Sequence, residues 1–176
     1  QLGLRWPGFR KVRRQVHKRI VRRLNELGLT QISEYREYLR ANSDEWSALD
    51  GFTRVSISRF YRDRDVFDCL RDVLLPDAVA AAKDRGEEHI RIWSAGCASG
   101  EEPYTVKIVW EIEVKRFLDS DLNLHIVATD SRNQLLHRAE TGEYSYSSLK
   151  ALPEQLLREA FYQKQQYYQI KPFFQE

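Results

Sequence analysis

His89-Ile-Arg-Ile-Trp-Ser94 runs into Ala95-Gly-Cys-Ala-Ser-Gly100 and then into Glu101-Glu-Pro-Tyr104. The first six residues form a short apolar run of strand length, Gly96 to Gly100 a loop, and Glu102 to Leu118 a helical repeat. Leu124-His-Ile-Val-Ala-Thr129 is a second short apolar run, closed by Asp130. Arg132 to Thr141 reads as a further helix, stopped by Gly142. Strand, glycine loop, helix, strand, acidic residue is one βαβ unit. Its two strands are expected side by side and parallel, joined by a right-handed crossover.

A loop that rises from a parallel strand into a helix presents free backbone N–H groups, and its glycines let a ligand come close. This loop is neither G-x-G-x-x-G with a short following turn nor a G-K-[ST] phosphate loop. It holds no Lys or Arg, and Glu101 and Glu102 follow at once. Those acids repel a phosphate and suit a cation. S-adenosylmethionine carries an ammonium and a sulfonium and no phosphate, so it fits the charge pattern. On that reading Gly96 lines the approach and Glu101 pairs with the ammonium. Asp130, 34 residues after Gly96, accepts from ribose hydroxyls. Two plainer readings stand beside it: the glutamates favour the helix dipole, and Asp130 caps the next helix.

Outward from this unit, Phe9, Val12, Val16, Ile20, Leu24 and Leu27 recur at helical spacing. Arg10, Lys11, Arg13, Arg14, Lys18, Arg19, Arg22 and Arg23 lie between them, and Gly28 ends the helix. Thr30 is placed to cap a second helix with Ile32, Tyr35, Tyr38 and Leu39 inward, and Ser43 a short third one with Trp46 and Leu49. A helix carrying Val66, Leu70, Val73 and Leu74 follows, then Pro76, then an Ala-rich helix ending at Gly86. The tail holds a helix over 153–162 and a strand over 167–170. Trp46, Trp93 and Phe60 read as core. The chain divides into a basic helical N-terminal domain, residues 1–52, and a cofactor-binding domain, residues 53–176.

Net charge is only +2, but residues 1–40 hold eleven Lys/Arg against three Asp/Glu, a local +8 that leaves −6 for the rest. Such asymmetry suggests a basic module facing an acidic partner. Cys69 and Cys97 lie far apart and the four histidines are scattered, so no metal site is expected. No window approaches 18 consecutive apolar residues and no signal core is present, so no membrane insertion is expected. A reduced, cytoplasmic protein is the expectation. A chain that begins with Gln and holds no Met reads as a piece of a longer product.

The string from Arg91 to Tyr104 resembles the first motif of the CheR-type protein-glutamate O-methyltransferases. Ser56-Ile-Ser-Arg-Phe-Tyr-Arg-Asp63 resembles that family's segment ahead of the sheet, (N/V)-x-T-x-F-F-R-(D/E). Ala128-Thr-Asp130, Gly142-Glu-Tyr144 and the helix begun by Leu152-Pro-Glu154 are similar to its later segments, and the basic helices to its small helical domain. The resemblance implies an α/β fold. A helical subdomain precedes the first part of a Rossmann-like methyltransferase domain, whose sheet is incomplete in this chain.

The resemblance implies a cofactor, S-adenosylmethionine, leaving as S-adenosylhomocysteine, and an acceptor, glutamate side chains of chemoreceptors. It assigns cofactor contacts to Ser56, Ser58, Arg62, Glu101 and Asp130, and sets Arg62 beside the transferred methyl and the acceptor carboxylate. Ser56 and Ser58 depart from the usual Asn or Val and Thr, yet both keep a hydroxyl. Arg62 has a plainer reading as an ion pair with Asp63 or Asp65. Arg14, Lys18 and Arg22 would face the acidic receptor surface; a solvated helix face is the bland alternative, and nucleic acid ranks last. A carboxylate acceptor is ionised at neutral pH, its reference pKa being about 4.3, so no general base is needed. The family's further strands and later adenine-side and active-site segments are absent here. The chain alone is therefore expected to have little activity, and its open sheet edge invites a homodimer. Two alternatives stand: a cofactor-binding sensor or scaffold that transfers no methyl, and a methyltransferase with another acceptor.

Overall fold

Strands β1 (His89–Ala95) and β2 (Asn123–Thr129) pair in parallel, with His89 opposite Asn123 and Ala95 opposite Thr129. The computed structural model describes residues 12–53, 58–118 and 120–175. The chain falls into two compact units, Gln1–Ile57 and Ser58–Glu176.

In the first unit, α1 (Arg13–Glu26), α2 (Ile32–Ala41) and α3 (Glu45–Thr53) surround a small core of Leu24, Tyr35 and Leu39. Gly28 takes a left-handed φ of 68° and ends α1. The cap of α2 is Gln31 and not Thr30: Glu34 accepts from the N–H groups of both Thr30 (2.7 Å) and Gln31 (2.8 Å). Ile32, expected inward, is exposed, whereas Tyr35 and Leu39 are buried as their spacing predicts. The core also admits a carboxylate. Glu45 is 5% exposed and accepts from Arg23 Nε (3.0 Å), Arg23 Nη2 (2.8 Å) and the Tyr35 hydroxyl (2.8 Å).

The second unit is built on the parallel pair. Helix α4 (Arg64–Cys69) passes through a π-helical turn (Leu70–Leu74) into α5 (Leu75–Asp84), which packs on β1. Pro76 does not break this rod; it follows directly on the π-helical turn, at the second residue of α5. The inward face is offset from the apolar stripe. Val66, Val73 and Leu74 are exposed, contrary to their spacing, and Phe67, Leu75 and Val79 point inward.

After β1, helix α6 (Glu101–Val109) continues through a second π turn (Trp110–Val114) into α7 (Lys115–Phe117). Beyond β2 comes α8 (Asn133–Thr141), ended by Gly142 at φ 66°. The tail adds β3 (Glu143–Tyr144), α9 (Tyr146–Leu149), α10 (Glu154–Ala160), β4 (Phe161–Gln163) and β5 (Tyr168–Ile170). These three strands form a small antiparallel sheet in the order β3-β5-β4. The unit is α/β, with a two-stranded parallel sheet.

Ile90, Leu124, Val106, Ile108, Val109, Trp110, Phe60, Tyr144 and Phe161 share one core. Trp93 does not belong to it. Being on the opposite face of the sheet, it is 69% exposed and donates from Nε1 to Thr129 Oγ1 (3.0 Å), while Trp110 takes the buried place.

Candidate functional site

The loop between β1 and α6 is fixed by its backbone. The N–H groups of Gly96 (2.7 Å) and Cys97 (2.9 Å) both donate to the Thr129 carbonyl at the end of β2. Gly96 (φ 86°), Ala98 (φ 51°) and Gly100 (φ 87°) all stand in the left-handed region. At Gly100 the reason is contact as well as dihedral: a Cβ there would lie 2.8 Å from the Tyr104 ring and 2.9 Å from Ala139. At Gly96 a Cβ would meet nothing within 4 Å, so the backbone faces open space that a ligand can enter.

Glu101 opens α6 and is 3% exposed. Its Oε1 accepts from the Ser99 hydroxyl (3.0 Å), while the buried Oε2 has no hydrogen-bond partner among the described residues. A buried carboxylate oxygen without a donor is costly, and a cationic donor is what satisfies it best. Glu102 is differently placed: exposed, it accepts from the Ser94 hydroxyl (2.7 Å) and ties the helix start to β1.

Asp130 is not the cap of α8, whose N-cap is Arg132 with no side-chain cap bond; it serves the loop instead. Its Oδ2 accepts from Ala98 N–H (3.0 Å) and its Oδ1 from Arg132 N–H (2.9 Å), with Arg132 Nε 3.5 Å away. The carboxylate therefore staples the glycine loop to the start of α8, and a ribose would use the lone pairs left on the same oxygens.

The segment ahead of the sheet reaches α6, the helix that the loop leads into. Phe60 is fully buried, edge-on to Tyr144 (4.7 Å) and Phe161 (5.2 Å), and its N–H donates to the Ser148 carbonyl (3.0 Å). The Tyr61 N–H donates to Thr105 Oγ1 (3.2 Å), and the Thr105 hydroxyl donates to the Glu101 carbonyl (2.6 Å). Tyr61 and Asp63 both take positive φ, 54° and 56°, on either side of Arg62. Arg62 is 57% exposed, with Nε 3.7 Å from Asp63 Oδ2, which is the ion pair of its plainer reading. Ser58 is half-buried, and Ser56 lies outside the described residues. Arg14, Lys18 and Arg22 are exposed on α1 of the first unit, while Arg19 donates to the carbonyls of Gly51 and Phe52 and Arg23 turns to Glu45.

Three supporting residues escaped the sequence reading. Ser99 orients Glu101, Thr105 bridges Glu101 to Tyr61, and the buried Tyr144 hydroxyl donates to the Ser99 carbonyl (2.6 Å). Thr105 has a faint signature, a hydroxyl four residues after Glu101 on a helix; the Tyr144 contact is non-local and has none. Burial pushes the Tyr144 hydroxyl well above its ordinary pKa, so it stays protonated as a donor. Burial, then the charge of Asp130, also raises the Cys97 thiol, which suits a small loop residue and not a nucleophile. Tyr104 donates from its hydroxyl to the Ala139 carbonyl (2.8 Å) and packs at the helix start. Among the described residues, no group of three or more His, Cys, Asp or Glu could hold a metal, and no helix is long and apolar enough to cross a membrane.

The sequence is similar to known proteins. The family model described as "CheR methyltransferase, SAM binding domain" matches residues 56–176, and "CheR methyltransferase, all-alpha domain" matches residues 11–49. A chemotaxis protein methyltransferase of Listeria innocua is 30% identical over 165 residues, covering 92% of this chain and 58% of its own length. That of Escherichia coli K12 is 32% identical over 149 residues, covering 83% and 48%. That of Salmonella typhimurium is 34% identical over 154 residues, with the same two coverages, 83% and 48%. The chain spans about half the length of the curated relatives it matches.

Proposed function

Since the chain belongs to the CheR methyltransferase family, we propose that its protein transfers a methyl group from S-adenosylmethionine to glutamate carboxylates of a receptor-type protein. The observation that carries this reading is the buried Glu101 carboxylate, with one oxygen unpaired beside an open, glycine-lined loop that holds no cation. The residues fit the cofactor's ammonium and would repel a phosphate. When bound, the cofactor supplies a methyl group on a positively charged sulfur.

Glu101 holds the ammonium end, Gly96 gives access, and Asp130 keeps the loop in shape. Arg62 orients the acceptor carboxylate, for which a guanidinium fork is suited. Ser58 completes the cofactor contacts. The rate gain then comes from alignment and exclusion of water and not from proton transfer. Arg14, Lys18 and Arg22 form an exposed basic row that supports docking of an acidic receptor surface.

The test uses the full-length protein, radiolabelled cofactor and receptor peptides. Label should pass to the peptide and be lost in mild alkali, as a carboxyl ester requires. Arg62→Ala should cut transfer by about 100-fold with stability changed by less than about 0.5 kcal/mol, since the side chain is mostly exposed. Cofactor binding without transfer would favour a sensor or scaffold. Alkali-stable label would point to another acceptor. Parallel loss of transfer and stability in Arg62→Ala would return that residue to a structural ion pair.

A further inference from the structure

Thr105 is completely buried and makes two hydrogen bonds of different kinds. Its hydroxyl donates to the Glu101 carbonyl one turn earlier (2.6 Å), the ordinary habit of a helical threonine. The same oxygen accepts the Tyr61 N–H (3.2 Å), from a segment 44 positions away in the chain. A hydroxyl can do both, because it has one proton and two lone pairs.

Tyr61 stands at φ 54°, a conformation that bulky L-residues avoid and that persists only when neighbours impose it. The restraints are on both sides. The Phe60 N–H is held by Ser148, and the Tyr61 ring stacks on Phe67 (5.2 Å) with its hydroxyl donating to Asp68 (2.8 Å). Thr105 is the restraint that also touches the turn bearing Glu101. Arg62 follows directly on the held residue, and Asp63 repeats the positive φ.

We propose that Thr105 is a positioning residue, which sets the Arg62 arm in register with the Glu101 turn by holding the Tyr61 amide. The proposal rests on the methyltransferase reading for the role of Arg62, but the tie itself does not. Without the acceptor, the Tyr61 N–H is buried and unpaired. The segment relaxes toward ordinary dihedrals, and Arg62 leaves the line between methyl donor and carboxylate. The Glu101 carbonyl loses the Thr105 hydroxyl, but its carboxylate keeps Ser99 and the glycine loop keeps the Thr129 carbonyl, so cofactor affinity survives.

The experiment compares Thr105→Val, which keeps the shape and loses the acceptor, with Thr105→Ser, which keeps the hydroxyl, in the full-length protein. Amide exchange at Tyr61 should rise at least about 30-fold in the valine variant and stay near wild type in the serine variant. Methyl transfer, as kcat/KM for the acceptor, should fall about 10-fold to 100-fold in the valine variant and recover with serine. The cofactor Kd, read by calorimetry, should change less than about threefold in both. If the valine variant does not fold, Thr105→Ala is read in the same way. A protected Tyr61 amide in the valine variant, equal behaviour of valine and serine, or cofactor affinity falling in step with transfer would overturn the proposal. A wild-type protein that transfers no methyl would defeat the functional reading instead, and amide exchange would then decide the tie alone.

Discussion

Glu101 is a residue whose cost to the fold and value to the site have opposite signs. Its Oε1 is satisfied by Ser99, while its Oε2 is buried with no partner among the described residues. A carboxylate oxygen in that state costs on the order of 1–3 kcal/mol, and an ammonium donor recovers it. Glu101→Gln removes the charge and turns an NH2 group toward the place an ammonium would occupy. The expected result is cofactor affinity in the full-length protein weakened by about 2–3 kcal/mol, roughly 30-fold to 150-fold, by calorimetry. Thermal stability should hold or rise, because an unpaired buried charge has been removed. An unchanged Kd would mean that the ammonium lies elsewhere. Asp130 is a contrasting case at the same scale. Both of its oxygens already receive backbone N–H groups. Asp130→Ala should therefore loosen the glycine loop together with cofactor binding, and a lowered melting temperature would distinguish it from Glu101→Gln.

Among the elements, the three N-terminal helices are tied by a charge as well as by their apolar core. Glu45, on α3, takes three hydrogen bonds from α1 and α2, through Arg23 and Tyr35. The Arg23 guanidinium, then the Tyr35 hydroxyl, hold its carboxyl below the ordinary glutamate range against the opposing effect of burial. A depressed folded-state pKa contributes stability that is present above the unfolded value and lost as pH falls through the folded one. Acid should thus weaken this unit below the usual glutamate range. Glu45→Gln should cost about 1–3 kcal/mol at neutral pH and remove that part of the acid dependence, followed by urea unfolding at several pH values. If the acid dependence persists in the variant, another carboxylate is responsible. Nothing in the local sequence marked Glu45, because its partners lie 10 and 22 residues away. The same limit separates legible elements from illegible ones. The βαβ unit, α1 and α8 have strong periodicity and glycine stops, and the sequence shows them. The stripe over Val66, Val73 and Leu74 misleads for two reasons: ahead of the π turn the buried residue is Phe67 and not its neighbour Val66, and the π turn then moves the inward place from Leu74 to Leu75. β3 and β4, two and three residues long, are too short to show alternation. At the site, glycines and acids announce themselves by type, whereas Thr105 and Tyr144 act through contacts made only after folding.

For the whole molecule, the parallel pair raises a question of covering. Parallel strands occur almost only with both faces covered, yet here one face packs on the core and the other does not. Trp93 and Val127, register partners across the pair, are 69% and 61% exposed. Among the described strands β1 pairs with β2 alone, so each strand also presents a free edge. An indole and a branched aliphatic side by side, next to unpaired backbone, form an adhesive surface. The 176-residue chain is therefore expected to associate with a second copy through this sheet. Light scattering should show the mass moving from one chain toward two between about 1 and 100 μM, the range expected of a small apolar contact. Because both side chains are largely exposed, Trp93→Lys with Val127→Lys should leave folding intact, and two like charges facing each other should abolish the association. Salt separates this contact from the basic row on α1. Apolar pairing strengthens or holds as ionic strength rises, whereas docking through Arg14, Lys18 and Arg22 weakens. A chain that remains monomeric at 100 μM in both low and high salt would show that the exposed face is not adhesive enough to recruit a second copy.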